Sequence, residues 1–246
     1  MDIKYLLARF TTDLIGTTAF GLKVNSLSNP ASEFFQFSLK VFSISLKKSL
    51  ELACFFFFPA LVPLLKIKLV PHEEAEMLRN TLKEVIKQRK QSGVIRNDVI
   101  DKLVEMQAQA ELDPQDPAND FDYVAAQATI FLVAGSETSS STSSFALFEL
   151  ARNPEMQNRL RAEIQQAFEE GNGSISYEQI QEMSFLSQVV DETLRLYPIA
   201  GVVERQLTVN DKATEFSLLP DVDFTVPKGV PIYVSHLGLH RDEKVS

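Results

Sequence analysis

A chain of 246 residues is long enough to bury a true core, as one large domain or two small ones. Its net charge of −9 argues against nucleic acid as a partner, and its one cysteine excludes a disulfide framework and fits a reducing compartment. There is no signal peptide pattern, no internal repeat and no run of 18 apolar residues.

In chain order, Asp2 to Phe20 places Tyr5, Leu6, Phe10, Leu14 and Ile15 at helical spacing and predicts a helix that stops at Gly21. Ser32 to Leu50 reads as a second helix capped by Ser32, with Lys40, Lys47 and Lys48 interleaved among Phe34, Phe35, Phe37 and Val41. Leu52 to Leu65 is uncharged, contains Phe55 to Phe58 in a row and is broken at Pro59 and Pro63, so it is too short to span a bilayer. It is either a buried core segment or an exposed patch that touches a membrane surface. Cys54, among these aromatics, reads as a packing residue. His72 to Lys90 is a charged amphipathic helix, and Asn97 to Gln109 a shorter one. An acidic linker (Asp113-Pro114-Gln115-Asp116-Pro117) follows, then Asn119, Asp120 and Asp122 as candidate caps.

The run from Phe121 to Pro154 organises the chain. From Tyr123 to Val133 it is apolar on nearly every face, the pattern of a helix through a core. Its centre, Ala134-Gly135-Ser136-Glu137-Thr138-Ser139, then breaks the rules of helix design. Gly135 costs about 1 kcal/mol against alanine in a helix interior. Glu137 and Thr138 are polar where burial is expensive, and the serines beyond them compete for backbone hydrogen bonds. Ala134 and Thr138, four apart, share a face with Ile130 and Phe131 a turn below: space for a flat ligand with a hydroxyl at its edge. Gly135 permits a kink, and Glu137, about 100° round the helix, can pass protons toward Thr138. The alternative is a core helix whose hydroxyls bond back to its own carbonyls.

After Pro154 at a helix N1 position, Glu155 to Glu170 is a surface helix ended by Gly171-Asn172-Gly173. Ser176 to Gln179 opens a short helix, and another carries Glu192 and Arg195 and stops at Pro198. Four short extended runs follow: Gly201 to Gln206, Phe216 to Leu219, Asp223 to Val226 and Val230 to Ser235. A lone Glu-x-x-Arg carries no weight, since Glu76-Arg79 and Glu149-Arg152 also fit and read as solvated pairs. Glu192-Arg195 stands between apolar flanks, which predicts burial.

Ala-Gly-x-Glu-Thr-Ser in a long apolar helix, then Glu149-Leu150-Ala151-Arg152-Asn153-Pro154, then Glu192-Thr193-Leu194-Arg195-Leu196-Tyr197-Pro198, resembles the cytochrome P450 family, most of all its microsomal, xenobiotic-metabolising branch. The resemblance covers residues 1–246 but only the middle portion of a full-length member. It implies a mainly α fold fragment with a long central helix, helical over 1–200, and a small, incomplete β-sheet piece over 201–246. It also implies a haem-thiolate monooxygenase that puts one atom of O2 into an apolar xenobiotic, lipid or steroid. The cofactor would be heme b (iron protoporphyrin IX), with electrons from NADPH through NADPH-cytochrome P450 reductase, at the cytosolic face of the endoplasmic reticulum membrane.

Carried over residue by residue, Thr138 and Glu137 match the family's oxygen-activation pair. Ala134 and Gly135 leave room above the macrocycle, and Arg205 matches its propionate-binding arginine. Ile130, Val133, Ile199, Ala200 and Val203 line the substrate cavity, Glu192 and Arg195 form a structural ion pair, and Leu52 to Leu65 borders the membrane. No metal ligand is expected within the chain. The family's cysteine loop has no match, and His72, His236 and His240 are scattered, so the isolated chain is expected to be inactive. The family's aromatic-rich continuation is replaced by Lys244-Val245-Ser246, whose Val-Ser can be encoded by a sequence like an intron donor site; an unspliced transcript or gene-model error is the expected origin. The reading from a different class is a non-catalytic helical module that binds an apolar ligand or a membrane surface. It accounts for the phenylalanines but not for Gly135, Glu137 and Thr138.

Overall fold

Small side chains decide how the first and the central helices meet. In the computed structural model, which describes residues 2–43, 45–68, 70, 72–207, 215–218, 220 and 223–244, helix α1 spans Ile3–Phe20 and helix α7 spans Phe121–Arg152. Asp2 caps α1 by accepting from the Tyr5 amide, and Gly21 ends it in the left-handed region (φ 68°), as its position in the sequence predicts. The face that α1 buries is not the predicted apolar one. Thr11, Thr12, Gly16, Ala19 and Phe20 are buried, while Tyr5, Phe10 and Leu14 are exposed. Of this stripe, Thr12 meets Ser38 and Gly16 abuts Val24 and Phe34, while Thr11 reaches α7. An added Cβ on Gly135 would meet Ile15 Cδ1 at 2.5 Å, and the Thr11 hydroxyl donates to the Ser136 carbonyl at 2.9 Å in a buried contact.

The chain divides into two compact units, residues 1–141 and 142–246, with the boundary inside α7. In the first, the predicted helix from Ser32 to Leu50 is two helices: α2 (Glu33–Phe42) and α3 (Leu46–Phe57). Serines cause the break. Ser43 turns extended with its amide and hydroxyl on the Lys40 carbonyl, Ser45 caps α3 through the Lys48 amide, and Lys48 Nζ also donates to the Lys40 carbonyl at 2.6 Å. Ser32 stands at the start of α2 but makes no side-chain cap. Ile44, between the two serines, lies outside the described residues. Helices α4 (Leu61–Leu65), α5 (His72–Ser92) and α6 (Val99–Ala110) follow, then a 3-10 turn (Pro117–Asn119). The core of this unit joins Phe20, Phe34, Phe37, Leu78, Leu82, Ile100, Val124 and Leu132, each large side chain contributing about 1.5–3 kcal/mol of burial.

Beneath that core, Arg89 of α5 forks onto Asp98, with both contacts at 2.8 Å, and also pairs with Asp101. Asp98 caps α6, and Arg96 ties the cluster to the Thr17 carbonyl of α1. Burial pushes the Asp98 and Asp101 carboxyls up, but Arg89 and backbone amides outweigh it and hold both below the ordinary 3.8.

In the second unit, α8 (Pro154–Glu170) starts with Pro154 at N1, α9 (Tyr177–Glu182) opens on a Ser176–Gln179 capping box, and α10 spans Ser184–Leu196. Strand β1 (Val202–Gln206) pairs antiparallel with β4 (Pro231–Ser235), Val203 opposite Val234. Strand β2 (Glu215–Ser217) pairs with β3 (Thr225–Pro227). A short helix, α11 (His236–Leu239), closes the described chain. Leu219, Val245 and Ser246, which the sequence reading included, lie outside the described residues. The architecture is the predicted one: mainly helical, with a long central helix and small two-stranded β elements toward the C-terminal end.

Two outcomes are expected. Gly135→Val should cost about 1–3 kcal/mol in denaturant unfolding, with part recovered by Ile15→Ala. For the Arg89 cluster, depressed carboxyls stabilise above the unfolded-state value and lose that contribution as pH falls through the folded one. Stability should therefore be flat from neutrality down to about pH 5 and fall below about pH 4. Asp98→Ala should remove about 3 kcal/mol at neutral pH and flatten the acid limb.

Candidate functional site

Helix α7 buries one stripe, Val124, Ala128, Leu132, Ser136 and Ser140, spaced four apart. The sequence suggests burial all round, but the far side is open: Ile130 is 60% and Phe131 47% exposed. Ala134 is exposed and Thr138 half-buried at the end of the same face. The helix runs unbroken through Gly135, whose open side is turned to Ile15. The Thr138 hydroxyl donates to the Ala134 carbonyl, Ser136 to Leu132, and Thr129 to Ala125, so these hydroxyls are bonded back to their own helix.

Glu137 is turned the other way, toward α1. Lys4 Nζ reaches Glu137 Oε1 at 2.8 Å, Ser140 Oγ at 2.7 Å and Ser141 Oγ at 2.8 Å, and Ser141 also donates to Glu137 Oε1. All three ammonium protons are used. Nothing in the sequence singles out Lys4. A polar Glu137 demands a partner, but any of 24 Lys and Arg residues can supply one.

In the second unit, Glu192 and Arg195 form a bidentate pair at 2.6 and 2.7 Å, and Arg195 holds the Glu192 carboxyl below its ordinary range. The predicted burial is not found: the side chains are 55% and 36% exposed, because α10 turns Phe185 and Thr193 inward instead. Arg195 also donates to the His240 carbonyl at 2.9 Å. The Tyr197 ring stacks on Phe145 at 4.3 Å, and its hydroxyl donates to Glu149, whose carboxylate pushes the tyrosine up. Ile199 and Ala200 are exposed, and Val203 is half-buried in β1. Arg205 is exposed and donates to the neighbouring Glu204 carbonyl. At the other end of α10, Glu163 of α8 accepts the Phe185 and Leu186 amides, both at 2.9 Å, capping a helix start whose own Met183 cannot.

A family model described as cytochrome P450 matches residues 1–245. The chain belongs to the cytochrome P450 family. It is 43% identical over 98% of its length to a probable cytochrome P450 6w1 of Drosophila melanogaster, and 40% identical over 99% to a probable cytochrome P450 6v1 of the same fly. Cytochrome P450 6A1 of Musca domestica is 33% identical over the whole chain. The P450 chain spans about half the length of these curated relatives, 47–48% of each.

The P450 family implies haem, and the open face of α7 suits it: two large apolar side chains without cover, a methyl at Ala134 and a hydroxyl at Thr138. Cys54 sits half-buried on α3, in an apolar groove of about 420 Å³ lined by Leu46, Leu50, Leu65 and Ile67. Among the described residues no group of three His, Cys, Asp or Glu is placed to hold a metal ion. Removing the Glu163 cap should free the α10 start. Glu163→Ala is expected to cost about 1 kcal/mol and to speed amide exchange at Phe185 and Leu186 selectively.

Proposed function

We propose that residues 1–246 are part of a single P450 domain, helical over 1–200 and β-rich beyond, in a haem-thiolate monooxygenase of the microsomal, xenobiotic-metabolising branch. Its substrate is apolar: a xenobiotic, lipid or steroid. The observation that carries this reading is the uncovered α7 face, where apolar surface ends in the Thr138 hydroxyl.

When bound, haem supplies activation of O2 and its transfer to substrate, fed by NADPH through a reductase partner. The chain's residues shape and proton-load the space beside it. Ala134 leaves only a methyl beside a flat ring; Gly135, which the motif predicts to leave room there too, is instead turned to Ile15. The Thr138 hydroxyl gives up the Ala134 carbonyl to hold a proton at Oγ1, and Glu137 resupplies it from solvent. In the first unit Ile130 and Val133, and in the second Ile199, Ala200 and Val203, offer apolar side chains of the kind that exclude water and select substrate by shape. Arg205, bonded only to a neighbouring carbonyl among the described contacts, turns to a propionate. Glu192 and Arg195 brace the end of α10. The thiolate is supplied from outside residues 1–246, since Cys54 faces its own groove.

Phe55 to Phe58 are each more than 40% exposed, with Leu64 75% exposed nearby. That supports the membrane reading of Leu52 to Leu65, on the cytosolic face of the endoplasmic reticulum. No helix among the described residues is long and apolar enough to cross a membrane. A non-catalytic helical module accounts for this patch but leaves the Thr138 face without a purpose.

The full-length protein carrying this chain should bind haem and give a thiolate-type shifted band when reduced under carbon monoxide; residues 1–246 alone should give none. Thr138→Ala in the full-length protein should lower product formed per NADPH, with turnover to product falling about 10²-fold while the band remains. An unchanged product yield would remove Thr138 from the reaction.

A further inference from the structure

Glu137 and Thr138 are adjacent in the chain, yet the structure keeps their functional groups apart. The Thr138 hydroxyl is engaged by the Ala134 carbonyl, and the Glu137 carboxylate is held on α1 by Lys4. The grip has three legs. Lys4 Nζ lies 2.7–2.8 Å from Glu137 Oε1, Ser140 Oγ and Ser141 Oγ, and Ser141, one turn along, donates back to the same carboxylate oxygen at 3.1 Å. A carboxylate bonded this way has one favoured direction, and that direction points away from Thr138.

The ion pair is also easy to open. Its side chains are 41% and 37% exposed, so water can replace each partner at small cost. The helix seam beneath it is not easy to open, because the Thr11 hydroxyl on the Ser136 carbonyl and the Gly135–Ile15 contact fix α1 against α7. A firm seam with a loose pair at its rim is the construction of a latch.

We propose that Lys4 is a positioning residue for the proton relay: it parks the Glu137 carboxylate on α1, and Glu137 serves Thr138 only when this pair opens. The proton travels from solvent to the Glu137 carboxyl and on to Thr138 Oγ1, while the Lys4 ammonium keeps its own protons throughout. The inference rests on the monooxygenase reading for its effect on turnover, but the grip itself does not.

Lys4→Met, Lys4→Arg and Glu137→Gln are to be compared in the full-length protein. The first readout is the infrared carboxylate band that Glu137→Gln removes. Lys4→Met should shift this band and Lys4→Arg should leave it near the wild-type position, with or without haem. The second is the solvent-deuterium-sensitive phase of turnover. Lys4→Met should speed it by about two- to fivefold, the population change expected when a half-exposed pair is lost. Lys4→Arg should restore the wild-type rate, and Lys4→Met should have no effect in the Glu137→Gln background. An unmoved carboxylate band in Lys4→Met overturns the grip. An equal rate change with and without Glu137, or no rate change, overturns the latch. If the wild-type protein forms no thiolate-type band, the monooxygenase reading fails by itself, and the infrared comparison still decides whether Lys4 holds Glu137.

Discussion

The close approach of α1 to α7 is the constraint on which the candidate site depends. A bulkier residue at Gly135 would collide with Ile15, and Thr11 turns its hydroxyl to the Ser136 carbonyl across the same seam. That contact is buried, and the Thr11 hydroxyl also lies within reach of the Leu7 carbonyl of its own helix. With that seam fixed, α7 has a defined rotation. One stripe is committed to the core, Glu137 is delivered to Lys4, and the face with Ile130, Phe131, Ala134 and Thr138 is left open.

Polar groups in α7 therefore have separate duties. Ser136 is buried and bonded within the helix, whereas buried Ser140 donates to the Glu137 carbonyl and accepts from Lys4. Glu137 is tied to a cation from another helix, and Thr138 stands at the edge of the uncovered surface. The second unit divides its polar groups in the same way on its own ground. Glu163 caps α10, and Tyr197 stacks on Phe145 and donates to Glu149, so the helix that carries Glu192 and Arg195 is anchored at both ends.

Much of this was legible before any coordinates. Gly21, Pro154, the Ser176–Gln179 box and Pro198 are backbone signals whose physics is local, and each helix end falls within a few residues of them. What sequence misjudged depends on what packs against what. Phe10 and Leu14 keep helical spacing yet face outward, since the tight contact selects small residues, which periodicity ignores. The break between α2 and α3 comes from serines that bond to nearby backbone, with neither glycine nor proline to announce it. The apolar flanks of Glu192–Arg195 suggest burial, but α10 buries Phe185 and Thr193 while Val190 and Leu194 stay exposed with the pair. The motif around Thr138 is what makes that face a candidate; Lys4 is invisible in the sequence because its partner is 133 positions away.

The most direct test is a structure of the full-length, haem-loaded protein. The account expects haem to be bound beside the open face of α7, with Ala134 and Thr138 next to it. A structure in which that face is covered by protein side chains, with haem elsewhere or with no room for it beside Thr138, would contradict the account.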